Sequence, residues 1–333
     1  MSDDDPSPSP RPTPEQQLQQ WLQNTEHTRT PVPLAEYDAL FDALAASRAG
    51  TDDPRGALAR VDDAARLRAL AAAQTGRSIS LAWPLDTHAG PDNAKPALHH
   101  MTDLGDVEEP EPSCHKDFLG IDYHGKATTH LDAACHIGYR GRLYGGVPAR
   151  SAMSAAGSSW ASVDALAHGV VLRGVLLDLP AVRGVDWLEP GTAVHADEVA
   201  RATRALGVEV QPGDAVLVHT GHARRRRRLG AWDSGAASAG LHVDAVRPLL
   251  DAGAVLLGSD GDTDVRPSPV AELHSPVHAL SLTATGTPLL DNLDLEALAD
   301  ACAELGRRTF ALLVAPLVVR GGTGSPVNPL AVL

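Results

Sequence analysis

From residue 78 onward the chain alternates short apolar strands with amphipathic helices, and this order limits the possible fold more than any other feature. Runs rich in Leu and β-branched residues, bounded by Gly, Pro and Asp, predict strands at residues 79–83, 170–178, 215–219, 254–259 and 310–319. Apolar residues at three- and four-residue spacing predict intervening helices at residues 196–206, 243–252 and 295–305. The periodicity therefore predicts a mixed α/β fold.

The region before residue 78 has a different character. Residues 1–14 contain five prolines among Ser and Asp, and such a segment cannot bury enough apolar surface to fold, so we expect a disordered tail. Residues 15–76 read as an N-terminal helical extension, with helices at residues 17–22, 34–46 and 57–73. Residues 77–333 are expected to form the main domain, and a hydrophobic content of 43% suffices for a large core.

Composition narrows the class of partner. The chain carries 28 basic and 42 acidic residues, and a net charge of −14 argues against nucleic acid or an anionic membrane. No apolar run approaches the roughly 20 residues of a membrane span, and the acidic, proline-rich N-terminus does not resemble a secretory signal, so we expect a cytoplasmic protein. The five consecutive arginines 224–228 favour a solvated helix face or a subunit contact, with contact to an anionic substrate left open.

Residues 124–136 contain three histidines and an aspartate at close spacing. His130 and Asp132 lie two apart, so on a strand both side chains point to the same face, and His136 follows in phase or just past the strand end. Imidazole nitrogen and carboxylate oxygen suit Zn²⁺, Mn²⁺ and Fe²⁺. Each residue alone reads as an ordinary hydrogen-bonded side chain, but their density predicts a metal site. Cys135, inside the same segment, is expected to be a small buried apolar residue, with a soft metal ligand or a nucleophile as the alternative.

This segment resembles a family signature. Cyclase-like metallohydrolases, which include bacterial kynurenine formamidase, isatin hydrolase and trans-dienelactone hydrolase, carry a His-x-Gly-Thr-His-x-Asp-x-Pro-x-His motif, and residues 129–136 are similar to its second half. The resemblance implies that His130 and Asp132 are metal ligands and that His136 is the general acid/base. Lys126 stands where the family has its leading ligand. Either His124 takes that role through a strand bulge, or fewer ligands hold the metal, or there is none.

Further matches extend the resemblance over most of the chain, at residues 78–84, 144–146, 174–180, 213–221, 275–282 and 286–295. They imply that His278 is a third dependable ligand and that Asp291 stands where smaller members place a Glu. The family implies a layered β/β/α domain of the swivelling type, here with the N-terminal helical extension added. It also implies a small-molecule substrate and a homodimer or homotetramer.

The available groups predict a reaction. A divalent metal, Zn²⁺ first and Mn²⁺ next, held by His130, Asp132 and His278 would lower the pKa of bound water from about 15.7 towards about 7, and the hydroxide would attack an amide or ester carbonyl. His136, expected to titrate near neutral pH, would transfer the proton. Asp291, Lys126 and His100 are candidates for contacts to substrate or to the ligands. Asp260 and Asp264 are expected to cap turns.

Three functions follow as hypotheses. The first is a metal-dependent hydrolase of a small cyclic amide, a lactone or an N-formyl aromatic amine. The second is a lyase or cyclase of small-molecule biosynthesis with an altered or absent metal site, which Lys126 favours. The third is a non-catalytic binding protein, which the combination of His130, Asp132, His136 and His278 disfavours.

Overall fold

The computed structural model describes residues 31–48, 53–105 and 112–333. Within them the predicted mixed α/β fold is confirmed. The predicted tail at residues 1–14 and the predicted helix at residues 17–22 lie outside the described residues. Among the helices of the described segments, none combines the length and apolar character that a membrane crossing requires.

The strands of the described residues are β1 (Ser78–Ser80), β2 (Leu98–Asp103), β3 (Lys116–Gly120), β4 (His130–Asp132), β5 (Met153–Ser154), β6 (Gly157–Ser158), β7 (Val170–Asp178), β8 (Ala193–Val194), β9 (Asp214–His219), β10 (Gly240–Leu241), β11 (Leu256–Ser259), β12 (Leu289–Asp291), β13 (Thr309–Val314), β14 (Gly324–Pro326) and β15 (Leu330–Val332). Nine of them form one sheet in the order β1-β15-β13-β7-β9-β11-β12-β4-β14. Strands β7, β9, β11 and β12 pair in parallel, whereas the pairings towards both edges are antiparallel.

The helices of the described residues are α1 (Leu34–Ser47), α2 (Asp63–Ala71), α3 (Ala149–Ala152), α4 (Leu179–Arg183), α5 (Ala196–Ala205), α6 (His222–Leu229), α7 (Val243–Asp251), α8 (Pro276–His278) and α9 (Glu296–Glu304). Short 3₁₀ turns lie at Gly56–Arg60, Tyr144–Gly146 and Val163–Leu166, and a π-helical turn at Ala279–Ala284 continues α8. The predicted helix at residues 57–73 is thus interrupted. Asp62 causes the break, because its carboxylate caps α2 by accepting the Ala65 N–H at 2.7 Å.

Both faces of the parallel strands are buried, which explains their nearly continuous apolar sequence. Leu176 and Leu217 point into the core beneath α2 and α9, whereas Val175 and Val216 point into the core beneath α5 and α7. The predicted strand at residues 310–319 ends early, at Val314, since Pro316 has no N–H for the ladder. The buried strands deliver their ends to the candidate site.

The segments before the sheet support the region that carries His278. The hydroxyl of Tyr37 in α1 donates to the Pro276 carbonyl at 2.9 Å, at the start of α8. The Ala57 N–H donates to the Gly286 carbonyl at 2.8 Å, just after the π-helical turn. Residues 276–286 are therefore held from two sides by the N-terminal helical region.

The arginine run lies on α6, and every one of its five guanidinium groups pairs with a carboxylate of the chain. The pairs are Arg224 with Glu296, Arg225 with Glu189, Arg226 with Asp92, Arg227 with Asp294, and Arg228 with Asp186. Four of these arginines also lie over tryptophan rings: Arg225 over Trp232, Arg226 and Arg227 over Trp83, and Arg228 over Trp187. Helix α6 therefore ties several loops together, a role that the sequence did not indicate.

Candidate metal centre

Strand β4 places His130 and Asp132 on one face of the sheet. It lies between β12 and β14, with His130 opposite Asp291 and Asp132 opposite Gly324. Leu131, between them, points the other way into the apolar core. The two-residue spacing thus produces the shared facing that the sequence predicts.

Four imidazoles surround the carboxylate of Asp132, whose side chain is only 1% exposed. The nitrogen-to-oxygen distances are 2.9 Å from His124 Nδ1, 3.5 Å from His130 Nε2, 3.5 Å from His278 Nε2 and 3.8 Å from His136 Nε2. Neither carboxylate oxygen of Asp132 accepts a hydrogen bond from the described residues, and His124 Nδ1 is likewise buried without a hydrogen-bond partner among them. A buried carboxylate in this state calls for a cation.

Three of the imidazoles are oriented by a polar contact on the outer ring nitrogen, the one that points away from Asp132, whereas the inner ring nitrogen faces Asp132. His130 Nδ1 lies 2.9 Å from the Thr128 carbonyl, which accepts only if that nitrogen carries the proton. His278 Nδ1 lies 2.5 Å from Asp264 Oδ2, and His124 Nε2 lies 2.9 Å from the Thr323 hydroxyl. In each case the other nitrogen faces Asp132. This outward bonding is the usual arrangement of metal-ligating histidines, so the residues fit a divalent metal.

The charges in the cluster depend on one another. Burial alone would raise the pKa of Asp132, but the charges of His130 and His136 hold it well below its usual range. Burial would lower the pKa of His278, yet the carboxylates of Asp291, Asp132 and Asp264 raise it well above the ordinary value. A proton on His278 therefore balances these carboxylates, and a metal that bound there would displace it.

His136 lies at the edge of this group. Its ring stacks on that of His124, with centroids 3.9 Å apart and planes inclined by 5°. Burial lowers the pKa of His136 to about 4. The charge of Asp132 acts to raise this pKa, whereas the charges of His124 and His278 lower it further. The expectation that His136 titrates near neutral pH is therefore wrong. It is a neutral imidazole at pH 7, the form that can accept a proton.

Lys126 turns away from the histidines to an ion pair. Its ammonium donates to the fully buried Asp262, which also accepts from Arg266 Nε at 2.6 Å. Burial would raise the pKa of Asp262, but the charges of Lys126, His278 and Arg266 hold it far below its usual range.

Three overlapping groups of the described residues have ligand atoms that all lie within 4.8 Å of one another. They are His124 with His130 and Asp132, Asp132 with His278 and Asp291, and Asp262 with Asp264 and His278. The first group includes His124, as the shift by two residues would require.

Asp291 and His100, the remaining candidates, differ in position. Asp291 Oδ2 lies 3.2 Å from His278 Nε2, and its other oxygen accepts the Thr263 hydroxyl at 2.5 Å. His100 belongs to the exposed two-stranded ribbon of β2 and β3, where its ring lies 5.2 Å from that of Phe118. His100 is not among the grouped residues, because the ribbon is separate from the main sheet.

Several supporting residues escaped the sequence reasoning. Asn292, at φ 55°, donates to the carbonyls of Gly125 and Thr128 at 2.9 and 3.0 Å, and so holds the loop that carries His124. Asp264 accepts from the Val277 and His278 amides and also orients the His278 ring, a larger role than the expected turn cap. The dense acidic run at residues 260–264 was the available signal. Asp260 does cap a turn, since it accepts the Thr220, Gly221 and His222 amides.

Two cavities lie beside the centre. One of about 360 Å³ is lined by Trp83, Arg226 and Lys126, and the other, of about 290 Å³, is lined by His124 and Lys126. Lys126 lines both, so it lies where a small molecule in either cavity could meet it. A larger cavity of about 460 Å³, between α1 and the turn at Tyr144–Gly146, contains none of the clustered residues.

The sheet and its His/Asp centre define a cyclase-type α/β protein, and the comparisons agree. The chain belongs to the Cyclase family, whose model, described as "Putative cyclase", matches residues 78–264. No curated protein matches the chain.

Solved structures share the fold. A crystal structure described as a novel cyclase aligns with a TM-score of 0.73 at 27% identity and covers 85% of this chain and 95% of its own. An isatin hydrolase bound to the product analogue thioisatinate aligns with a TM-score of 0.56 at 20% identity, covering 82% and 99%. Isatin hydrolase A from Ralstonia solanacearum aligns with a TM-score of 0.53 at 23% identity, covering 77% and 91%. At such identities the two isatin hydrolases support the fold alone.

Proposed function

We propose that this protein is a metal-dependent hydrolase of a small cyclic amide, a lactone or an N-formyl aromatic amine. The observation that carries the proposal is the carboxylate of Asp132, which is buried, accepts no hydrogen bond from the described residues, and faces the inner nitrogens of His124, His130 and His278. The proposed class of substrate is consistent with the names of two solved structures that share the fold, both isatin hydrolases.

Asp132, His124, His130 and His278 would hold the ion. Mixed nitrogen and oxygen ligands suit Zn²⁺ first and Mn²⁺ next. A divalent ion in such a site acts as a Lewis acid and lowers the pKa of a coordinated water from 15.7 to about 7.

The side chains around the centre supply the rest of the chemistry. His136 is neutral at pH 7, so its imidazole can take a proton from the attacking water and return it to the leaving nitrogen or oxygen. Such proton transfer is typically worth about 10²–10⁴-fold in rate. The Lys126 ammonium lines both neighbouring cavities and can orient a polar group of the substrate.

The test combines metal content with a panel of substrates. Protein stripped with EDTA and reloaded with Zn²⁺ or Mn²⁺ is assayed on isatin, an N-formyl arylamine and a lactone. Asp132→Ala should lose the ion of this centre and the activity, because a ligand carboxylate supplies both charge and geometry. His88→Ala, at an imidazole that is 90% exposed, is the matched control and should retain both. Equal metal content in Asp132→Ala and wild type would overturn the proposed centre.

A lyase or cyclase on the same scaffold is the alternative that the Lys126 position raises. The ion pair of Lys126 with Asp262 speaks against it, because it engages the ammonium of Lys126 with a carboxylate other than Asp132. Isotope labelling separates the two reactions. Hydrolysis in H₂¹⁸O puts ¹⁸O into the product, whereas elimination or cyclisation does not.

A further inference from the structure

A second group of metal-ligating side chains lies at the edge of a small parallel ribbon. Strands β8 and β10 pair in parallel, with Ala193 opposite Gly240 and Val194 opposite Leu241. Each strand is followed at once by a histidine that precedes a helix, His195 before α5 and His242 before α7. Because paired parallel strands end at the same edge, the two rings come together, with centroids 4.2 Å apart.

The sequence repeats the spacing of the candidate metal centre. His242-Val-Asp244 has the same His-x-Asp pattern as His130-Leu-Asp132. Here the aspartate lies in the first turn of α7 and reaches across to α5, where its Oδ1 accepts the Ala196 N–H at 3.0 Å. The hydrogen bond fixes the carboxylate beside both imidazoles.

The distances suit a shared ion. Asp244 Oδ2 lies 2.9 Å from His195 Nδ1 and 3.2 Å from His242 Nδ1. The ligand atoms of all three residues lie within 4.8 Å of one another. Two ligands at about 2.0–2.1 Å from a tetrahedral Zn²⁺ are about 3.4 Å apart, and both His–Asp distances are within about half an ångström of that value.

The position of His242 Nδ1 adds a second argument. It lies 3.3 Å from the Asp244 N–H and 3.2 Å from Asp244 Oδ2. The same nitrogen therefore faces the carboxylate oxygen that would share the ion.

Access and charge are compatible with binding. The His242 side chain is 4% exposed, whereas those of His195 and Asp244 are 26% and 46% exposed, so an ion can enter from solvent. The positive ends of α5 and α7 oppose a cation, and the negative charge of the Asp244 carboxylate acts against them.

We propose that His195, His242 and Asp244 form a second site for a late first-row divalent ion such as Zn²⁺, with solvent completing its coordination. The ion would clamp the N-termini of α5 and α7 together. This site shares no residue with the candidate metal centre and does not depend on the proposed hydrolase function.

Zn²⁺ alone, added to the EDTA-stripped full-length protein, tests the proposal through metal content after desalting. We expect two equivalents in wild type and one in His195→Ala. His242→Asn should also bind one, because Asn preserves the helix cap while the imidazole is lost. Asp197→Asn is the control. Asp197 lies two residues after His195, as Asp244 lies two residues after His242, but Asp197 pairs with Arg201, so this variant should retain two equivalents of Zn²⁺.

The Asp132→Ala background makes the outcome independent of the candidate metal centre. In Asp132→Ala, one equivalent of Zn²⁺ should remain bound. This equivalent should be lost when His195→Ala is combined with it in a double variant. Far-UV circular dichroism in EDTA checks that each variant is folded. If Asp132→Ala binds no Zn²⁺, or if the double variant still binds one equivalent, the second site is refuted.

Discussion

Lys126 and His124 are predicted to have separate roles, and paired substitutions can distinguish them. Lys126→Met removes a partner of Asp262 but touches none of the inner nitrogens around Asp132. His124→Ala removes one such nitrogen and leaves the Asp262 ion pairs intact. We therefore expect Lys126→Met to lower stability without loss of metal, and His124→Ala to weaken metal binding with little effect on the stability of the metal-free protein.

The magnitude follows from what remains around Asp262. Removing one partner of a fully buried ion pair costs about 3–5 kcal/mol. The Lys126 side chain is 26% exposed, and Asp262 keeps Arg266 at 2.6 Å, so we expect about 1–3 kcal/mol. Unfolding entropy is about 2.1 cal/mol/K per residue, or about 0.7 kcal/mol/K over 333 residues, which gives a Tm decrease of about 1.5–4 °C.

The metal affinity supplies the second measurement. Loss of a residue that merely orients a ligand costs about 10–100-fold in metal affinity, so loss of His124 itself should cost at least about 10-fold. Thermal unfolding in EDTA measures stability, and dialysis against buffered Zn²⁺ measures affinity. Lys126→Arg, which keeps the charge, is the control for the ion pair. Metal loss in Lys126→Met, or wild-type affinity in His124→Ala, would refute the reasoning.

Three further predictions concern His219, His136 and Asp264. Although burial alone would lower the pKa of His219, its bonds to Asp178 and Glu296 raise it to about 10. The contribution of protonated His219 to stability is therefore complete below about pH 6.5 and is lost as pH rises through about 10. We expect His219→Gln to lower the free energy of unfolding by about 3–5 kcal/mol at pH 6. Urea titrations should show this difference from wild type closing by about pH 10.5. His136→Asn should lower turnover about 10²-fold or more with metal content unchanged, and loss of metal in this variant would show that His136 is a ligand instead. Because burial lowers the pKa of His136 to about 4, protonation of His136 should produce no decrease in wild-type activity between about pH 6 and 8. Asp264→Asn should weaken Zn²⁺ binding about 10–100-fold in competition with a chelator, since Asp264 sets which nitrogen of His278 faces the centre, and unchanged affinity would contradict that role.

Local periodicity was sufficient for five of the nine strands of the main sheet and for one half of the centre. The apolar run at residues 170–178 coincides with β7, because a strand buried on both faces leaves an uninterrupted apolar signal in the sequence. His130 and Asp132 share a face because side chains alternate along any strand. The motif around them was also sufficient to indicate the Cyclase family, which the family model confirms.

Only the tertiary structure decided how the centre is completed. The choice between His124 and Lys126 depends on the loop held by Asn292 and Thr323, and the orientation of His278 depends on Asp264. These partners are separated from the residues they orient by 14 to 199 positions. Contacts of this kind arise from strand register and loop packing, which impose no period on the sequence. The sequence by itself therefore determined which side chains share a face, whereas the packed structure determined which of them meet.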